Sequence, residues 1–376
     1  MPAGTFDLLL VEDSVEDAGL IQASLKVGLG QIVVSRVDRL SAAIAALAKQ
    51  QYSVVLLDLN LPDSSGVSTF RELSACSNGT PIVVLSGMDD AETAIEAVGA
   101  GADDYVQKSH YDAQTLARSV RFAVERNARR ASEAELTFMR SEMAAAQRIQ
   151  DSLYPSTPPS IPSFDVAAGI KSAGIGCGDY YDFIPLKDGR FAIVVGDVSG
   201  HGMASAIVMA ETRACLRTLA DVSIDAEVFF PAMNRLVYAG TSDGMFVTLL
   251  LFIYDPETQE FQYFNAGHPG WVVRENQRDQ MTTHQIPLGL LKDVDYSDSG
   301  RFTMDEGDIL IIPTDGIAET PSGEEMFGNE RMLRCVENAR QKTADEIVHE
   351  VFESAMTYAE AEIPADDMTI VIMKKL

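Results

Sequence analysis

Short apolar runs alternate with longer amphipathic stretches from Thr5 to about Lys108. The amphipathic stretches repeat their apolar residues at helical spacing. The apolar runs between them predict strands at LLLVED, IVVSRV, SVVLLDLN, PIVVLSG and DYVQK. This alternation predicts an α/β domain with a doubly wound, five-stranded parallel sheet and helices on both faces.

The stretch between Asp112 and Leu153 contains no glycine or proline, and apolar residues recur there every three to five positions. This pattern predicts one long helix, or two, with an apolar stripe suited to a coiled coil or a dimer contact. The prolines of YPSTPPSIPS then end the helix. The predicted division is therefore a first domain at 1–122, a helical linker at 123–155 and a second domain at 156–376.

Longer strands dominate from about Phe164 onward. The predicted strands are FAIVVGDV, MFVTLLLFIYD, EFQYFNAG, DILIIPTDG and MTIVIMKK. Two amphipathic segments, GMASAIVMAETRACLRTLA and TADEIVHEVFESAMTYAEA, predict helices. Strands in adjacent pairs, with helices grouped separately, predict an α+β sandwich of two largely antiparallel sheets.

Composition narrows the classes of function. With 46% hydrophobic and 23% charged residues, the 376-residue chain has the make-up of a globular protein. A formal net charge of −27 argues against nucleic acid as the main partner. No apolar run reaches membrane-spanning length and no basic leader is present, so we expect a cytoplasmic protein. The four scattered cysteines indicate reduced thiols rather than a zinc site.

Polar residues lie at the carboxyl ends of the predicted parallel strands, where such sheets bind ligands. Three of them are acids, Glu12, Asp13 and Asp58. Acids that converge at one edge repel each other, and a divalent cation relieves this repulsion; an oxygen-only ligand set suits Mg²⁺. Lys108 adds a compensating charge, and Ser86 offers a hydroxyl to a phosphoryl oxygen.

Residues 5–122 resemble the response-regulator receiver family through VEDS, LLDLNLPDSSG, VVLSG and GADDYVQK. The resemblance implies a flavodoxin-like fold, phosphorylated on Asp58 by a sensor histidine kinase, with Mg²⁺ held by Glu12, Asp13 and Asp58. It also implies that Ser86 and Lys108 contact the phosphoryl group and that Tyr105 is the aromatic switch. Ser109 departs from the proline that usually follows the lysine.

The second domain also places acids at the ends of apolar strands. Asp197 and Asp315 follow FAIVVG and ILIIPT, Asp179 and Asp182 stand just before a predicted strand, and Asp366 and Asp367 begin the last one. Gathered acids of this kind suit a pair of hard divalent ions with carboxylate and water ligands. Two such ions can activate water for in-line attack on phosphorus.

Residues 147–376 resemble the PPM-type serine/threonine phosphatases, in the bacterial branch of sporulation stage II protein E and RsbU-like regulators. The matching segments are AQRIQDSLYPSTPP, GCGDYYDF, GDVSGHGMASAIVMA, FVTLLLFIYD, NAGHPG, PLGL, GDILIIPTDGIAET and DDMTIVIM. The resemblance implies that two Mn²⁺ or Mg²⁺ ions are bridged by Asp197 and held by the Val198 carbonyl, Asp315, Asp367 and Asp179. Asp182 remains a rival for the role of Asp179, and Asp366 for that of Asp367.

Two histidines accompany these motifs. His201, in the SGHG turn, either contacts a metal-bound water or acts as a general acid, or else it braces the turn. His268, in NAGHPG, is interpreted as structural. Glycines in these motifs, Gly200, Gly202 and Gly316, serve turn geometry and close backbone approach.

The phosphatase resemblance implies a phosphoserine or phosphothreonine substrate on an anti-sigma-factor antagonist, within a partner-switching pathway. The alternative is a catalytically silent adaptor that binds a sigma or anti-sigma component under receiver control. A DNA-binding regulator is disfavoured by the acidic charge. We hypothesise that phosphorylation of Asp58 changes the dimer pairing of the helix at 112–153 and orders a metal site. A rigid spacer is the alternative for that helix.

Overall fold

The computed structural model describes residues 6–87, 91–222, 226–241, 244–282, 285–296 and 298–376. The first five residues of the predicted receiver lie outside the described residues. The chain divides into two compact units, Met1–Arg140 and Ser141–Leu376.

The first unit is the predicted α/β domain. Its elements are β1 Phe6–Val11, α1 Val15–Leu29, β2 Ile32–Val37, α2 Leu40–Leu47, β3 Val54–Asp58, β4 Asn60–Leu61, β5 Ser64–Ser65, α3 Val67–Cys76, β6 Ile82–Ser86, α4 Ala91–Gly99 and β7 Asp104–Gln107. Five strands form a parallel sheet in the order β2-β1-β3-β6-β7, which confirms the prediction. The small antiparallel pair β4–β5 was not predicted.

Burial on both faces explains the continuous apolar runs of the central strands. In β1, Leu9 and Val11 join the hydrophobic cluster on one side of the sheet, whereas Leu8 and Leu10 join the cluster on the other. Strands β3 and β6 are buried at every position. All five strands are parallel, so their carboxyl ends share one edge of the sheet.

A single helix, α5, spans Ala113–Asp151, the one-helix alternative of the prediction. Its first turns bury Leu116, Val120 and Ala123 against the receiver sheet. Further along, its large apolar side chains are exposed in this chain: Leu136, Phe138, Met139, Met143 and Ile149.

The second unit is the predicted sandwich. Its elements are β8 Phe164–Lys171, β9 Tyr180–Pro185, β10 Phe191–Val198, α6 Met203–Val222, α7 Ala226–Gly240, β11 Val247–Asp255, β12 Glu260–Ala266, β13 Trp271–Val273, β14 Arg278–Gln280, β15 Gly300–Thr303, β16 Ile309–Pro313, α8 Asp315–Ala318, β17 Pro321–Ser322, β18 Glu325–Met326, α9 Gly328–Asn338, α10 Ala344–Ala359 and β19 Met368–Lys375. The two antiparallel sheets run β15-β12-β11-β10-β9 and β14-β13-β16-β19-β8. Asp182 lies inside β9 rather than before a strand, because the alternating YYDFIP segment pairs with β10.

Three hydrophobic clusters separate the layers of this unit. One fills the space between the sheets, one lies under α6 and α7, and one lies under α9 and α10. A capping box formed by Thr343 and Glu346 begins α10. Among the described residues of the whole chain, no helix combines the length and apolar character that a membrane span requires.

Candidate functional site

The receiver acids meet at the carboxyl edge of the parallel sheet. Asp58 is the last residue of β3, and Glu12 and Asp13 directly follow β1. One ligand atom from each acid lies within 4.8 Å of the other two. Glu12 and Asp58 are buried, whereas Asp13 is exposed. The oxygen-only donor set fits a hard divalent cation such as Mg²⁺.

Lys108, just after β7, neutralises part of this charge. Its Nζ lies 2.6 Å from Glu12 Oε2 and 2.7 Å from Asp58 Oδ2. Burial alone would lower the pKa of Lys108, but its hydrogen bonds to Asp58 and Glu12 outweigh burial and raise the pKa. A third acid, Asp17, lies 3.4 Å from Nζ and was not predicted. Asp17 lies four residues after Asp13, in the first turn of α1, and that spacing was the available signal.

Ser86 and Tyr105 complete the predicted receiver set. Ser86 ends β6 beside β3 and is buried, and its Oγ has no hydrogen-bond partner among the described residues. A buried hydroxyl without a protein partner is suited to a phosphoryl oxygen. Tyr105, in β7, is 38% exposed.

The acids of the second unit approach one end of the sandwich from both sheets. Asp197, in β10, shares its strand face with Ile193 and Val195, which lie between the sheets. Asp179 is buried just before β9, and its Oδ2 accepts a hydrogen bond from Thr314 Oγ1 at 2.7 Å. Thr314 follows β16 in the opposite sheet, so this bond joins the two sheets beside the acids.

Asp367 holds the loop that carries Asp179. Its two oxygens accept hydrogen bonds from the backbone N–H groups of Ala173 and Gly178, at 2.8 and 3.0 Å. The preceding acid, Asp366, is exposed and accepts from the N–H of Asp367 at 2.8 Å. Asp367 therefore bridges the start of β19 and the segment before β9.

Close backbone approach also shapes this end of the sandwich. Asp315 begins α8 and is exposed. A Cβ at the next residue, Gly316, would collide with the Asp367 carbonyl oxygen, so only glycine fits there. A Cβ at Gly178 would lie 2.9 Å from the Val198 carbonyl oxygen, which places that oxygen beside the loop of Asp179.

Mutual repulsion and burial dominate the electrostatics of these acids. Burial, and then the charges of Asp315 and Asp366, raise the pKa of Asp197 to about 7. Burial and the charge of Asp197 raise the pKa of Asp179 well above its usual range. Oxygen ligands crowded in this way fit hard divalent cations. Among the described residues of this unit, no three of these acids bring a ligand atom within 4.8 Å of one another.

Asp182 is not brought into this group. It lies on the helix-facing side of β9, and Arg217 of α6 donates from Nε and Nη2 to its two oxygens, each at 2.7 Å. Tyr180 Oη and the Phe183 N–H donate to the same carboxylate at 2.7 and 2.8 Å. The carboxylate is fully buried, and each of its oxygens accepts two hydrogen bonds.

The two histidines have different surroundings. His201 is exposed in the turn between β10 and α6, where Gly200 and Gly202 have φ values of 87° and 88°. His268 is buried, and its Nδ1 lies 2.8 Å from Thr248 Oγ1. Burial lowers the pKa of His268 to about 3, so this ring is neutral at physiological pH.

Three side chains near the second site were missed from the sequence: Arg217, Gln150 and Tyr154. Gln150, in the last turn of α5, binds the backbone of Cys177, and Tyr154 binds the carbonyl of Asp179. For Gln150 and Tyr154, the available signal was the polar–aromatic set in AQRIQDSLYP at the end of the predicted helix.

Comparison with known proteins follows this division of the chain. A family model described as Stage II sporulation protein E (SpoIIE) matches residues 187–375, and a model described as Response regulator receiver domain matches residues 8–121. The first match includes Asp197, Asp315 and Asp367 but begins after Asp179.

Similar proteins are found among curated sequences and solved structures. Phosphoserine phosphatase RsbU of Bacillus subtilis (strain 168) is 24% identical over 240 residues, covering 63% of this chain and 71% of RsbU. Stage II sporulation protein E of Priestia megaterium is 26% identical over 213 residues, which cover 56% of this chain but only 35% of that protein. The structure of the PP2C phosphatase domain and a regulatory fragment of SpoIIE from Bacillus subtilis has a TM-score of 0.50 at 24% identity, covering 56% of this chain and 63% of that one. This likeness shows the fold of the second unit.

Proposed function

This chain belongs to the Stage II sporulation protein E family and carries a response regulator receiver domain, and on that premise we propose that it is a metal-dependent protein serine/threonine phosphatase controlled by phosphorylation of Asp58. The observation that carries the proposal is the approach of acids from both sheets to one end of the sandwich, with the pKa of Asp197 raised to about 7. The likeness to a phosphoserine phosphatase supports the same activity.

The proposed metal ligands are Asp197 as the bridging acid, the Val198 carbonyl, Asp315, Asp367 and Asp179. Two Mn²⁺ or Mg²⁺ ions would supply an activated water and neutralise charge on the phosphoryl group. The chain itself orients these ligands: Thr314 fixes Asp179, and the N–H groups of Ala173 and Gly178 fix Asp367. The saturated ion pair of Asp182 favours Asp179 over Asp182, and the burial of Asp367 favours it over the exposed Asp366.

The receiver is proposed to accept a phosphoryl group on Asp58 from a sensor histidine kinase. Mg²⁺ would be held by Glu12, Asp13 and Asp58, while Lys108 and Ser86 contact the phosphoryl oxygens. We expect acetyl phosphate with Mg²⁺ to label the protein and Asp58→Asn to abolish the label. Undiminished labelling of that variant would overturn the assignment.

The proposed substrate is a phosphoserine or phosphothreonine on an anti-sigma-factor antagonist in a partner-switching pathway. Support comes from the likeness to RsbU over 71% of that protein. The proposed domains are a receiver at 1–122, a helical linker at 123–155 and a phosphatase at 156–376.

The proposed route of control runs through α5. Its exposed apolar side chains, Leu136, Met139 and Met143 among them, would pair with a second copy of the chain. Phosphorylation of Asp58 would change this pairing and order the metal site. Beryllofluoride-treated protein is expected to differ in both phosphatase rate and oligomeric state, and no change in either would defeat the coupling.

Manganese-dependent hydrolysis of para-nitrophenyl phosphate tests the activity itself. We expect turnover by the intact chain, and its loss in Asp197→Ala and Asp315→Ala. Candidate phosphorylated antagonists are then compared with and without receiver phosphorylation. A chain that is inactive with every substrate, and whose two variants behave alike, would instead be a silent adaptor.

A further inference from the structure

The end of α5 carries three polar side chains whose hydrogen bonds all end on one short segment, Gly176–Asp179. Gln147 and Gln150 lie one turn apart on the helix, and Tyr154 follows just beyond its last residue. Positions separated by three and four residues lie on one face of a helix. Gln147 and Gln150 therefore contact the segment from one face of the helix, and Tyr154 contacts it from the turn that follows.

Gln150 makes the most complete contact. It is buried, its Oε1 accepts the Cys177 N–H at 3.0 Å, and its Nε2 donates to the Cys177 carbonyl at 2.5 Å. Cys177 is itself fully buried. A buried backbone N–H and C=O must find partners within the protein, and one side-chain amide satisfies both groups of Cys177.

The neighbouring side chains extend this contact in both directions. Gln147 Oε1 accepts the Gly176 N–H at 2.8 Å, and Tyr154 Oη donates to the Asp179 carbonyl at 2.8 Å. Tyr154 also stacks on Tyr181, with ring centroids 5.6 Å apart. The backbone on both sides of Cys177 is therefore held from the same helix end.

The other side of the same segment faces the acids. The Gly178 N–H donates to Asp367, and the Asp179 carboxylate accepts from Thr314. Gly176 lies so close to the backbone of Gly202 and Met203 that a Cβ would come within 2.8 Å of the Met203 nitrogen. The segment thus lies between the helix end on one side and, on the other, Asp367, Thr314 and the turn that follows β10.

We infer that Gln150, assisted by Gln147 and Tyr154, is a positioning residue that fixes the Gly176–Asp179 segment and so aims the Asp179 carboxylate at Asp197. Its effect on metal binding rests on the proposed function. Its effect on the segment does not, because the hydrogen bonds join protein groups only. A glutamine that merely stabilised the fold would alter global stability without selectively changing this segment or the metal affinity.

The test uses the full chain with four single substitutions. Gln150→Leu removes both bonds to Cys177, and Tyr154→Phe keeps the stacked ring but loses the hydroxyl. Gln147→Leu removes the bond to Gly176 together with an exposed bond to Asp151. Arg148→Leu, on the exposed side of the same turn, is the matched control. Two quantities are measured: hydrogen exchange of the Gly176 and Cys177 amides in metal-free protein, and, from the free-ion EPR signal, the dissociation constant of the Mn²⁺ that Asp197→Ala protein does not bind.

For Gln150→Leu we expect faster exchange at both amides and a dissociation constant raised by about 10–100-fold, the usual effect of losing a group that orients a metal ligand. Arg148→Leu should change neither quantity. A folded Gln150→Leu protein that matches the control in both measurements would overturn the inference. If Gln150→Leu does not fold, Tyr154→Phe and Gln147→Leu test the inference by the same two measurements, amide exchange and the Mn²⁺ dissociation constant.

Failure of the proposed function and failure of the positioning role give different results. Wild-type protein that binds no more Mn²⁺ than Asp197→Ala protein would defeat the metal-dependent phosphatase. The exchange comparison would still decide the positioning role, since it needs neither metal nor turnover.

Discussion

The ion pair between Asp182 and Arg217 provides a direct test of which acid belongs to the metal site. Asp182 accepts two hydrogen bonds from Arg217, one from Tyr180 and one from the Phe183 N–H, all at 2.7–2.8 Å. Asp182 is 0% exposed, so water does not reach its carboxylate to replace a lost hydrogen-bond partner. Arg217→Met therefore leaves a buried negative charge with half of its hydrogen bonds.

The size of the effect follows from these contacts. Hydrogen bonds to charged groups contribute about 1.5–3 kcal/mol each, and removing one partner of a buried ion pair costs about 3–5 kcal/mol. Because the Arg217 side chain is 45% exposed, we expect the lower end, about 3 kcal/mol. With a urea m-value of about 2 kcal/mol per molar, the unfolding midpoint should fall by about 1.5 M.

The assay is urea unfolding followed by tryptophan fluorescence. Trp271 is the only tryptophan of the sequence and is buried in the phosphatase half, so the signal reports on that unit. Arg190→Met, which breaks the surface pair with Asp188, is the control and should cost no more than about 1 kcal/mol.

Mn²⁺ binding at the candidate metal site should not depend on this ion pair. We expect Arg217→Met and Asp182→Asn to bind Mn²⁺ as tightly as the wild type while they remain folded. A stable Asp182→Asn protein that has lost the Mn²⁺ binding that depends on Asp197 would refute the reasoning and return Asp182 to the candidate metal site.

Three further outcomes are expected. Gly316→Ala pushes a Cβ into the Asp367 carbonyl and should cost about 1–3 kcal/mol, with loss of manganese-dependent turnover; full activity would contradict this. In EDTA, protonated Asp197 favours the folded state at low pH, because burial raises its pKa from 3.8 to about 7. The urea unfolding midpoint should therefore fall as the pH rises between these two values, and it should fall less in Asp197→Asn. The same pH dependence in both proteins would contradict the assignment. Thr343→Ala removes the cap of α10 and should cost about 1 kcal/mol in unfolding experiments, with turnover unchanged.

The receiver sheet and its cluster of acids could be predicted because the pattern of each strand is local in sequence. Strands buried on both faces produce unbroken apolar runs, and parallel strands bring their carboxyl ends to one edge. Once the order of elements was clear, Glu12, Asp13 and Asp58 had to be neighbours. The contact of Asp17 with Lys108 was not predicted, because an acid in the first turn of a helix is also expected for its interaction with the helix dipole.

The phosphatase half was harder because its key partners are distant in sequence. GCGDYYDF contains two acids, and their roles separate only when the strand is known to begin at Tyr180, which turns Asp182 toward α6. Arg217 then comes from a helix that shares no motif with β9. Gln150 resembles any polar residue of an exposed helix until its contact with Cys177 is seen.

Weak local signals account for four of the elements that were not predicted. Strands β13, β14 and β15 are three or four residues long, too short for an alternating pattern to stand out. Helix α7 contains Pro231, a residue that normally disfavours the interior of a helix. In both cases the surrounding sheets and clusters, rather than local propensity, determine the structure.

The pairing of β8 with β19 affects the order in which the two units can fold during synthesis. These strands pair along their whole length, from Phe164 with Lys375 to Lys171 with Met368. The receiver sheet is complete once Gln107 has left the ribosome, whereas β8 must wait for β19. At about 5–20 residues per second, that wait is on the order of ten seconds or more. Any chain cut short before Asp367 would therefore join a finished receiver to a phosphatase half that lacks both a sheet strand and a candidate metal ligand.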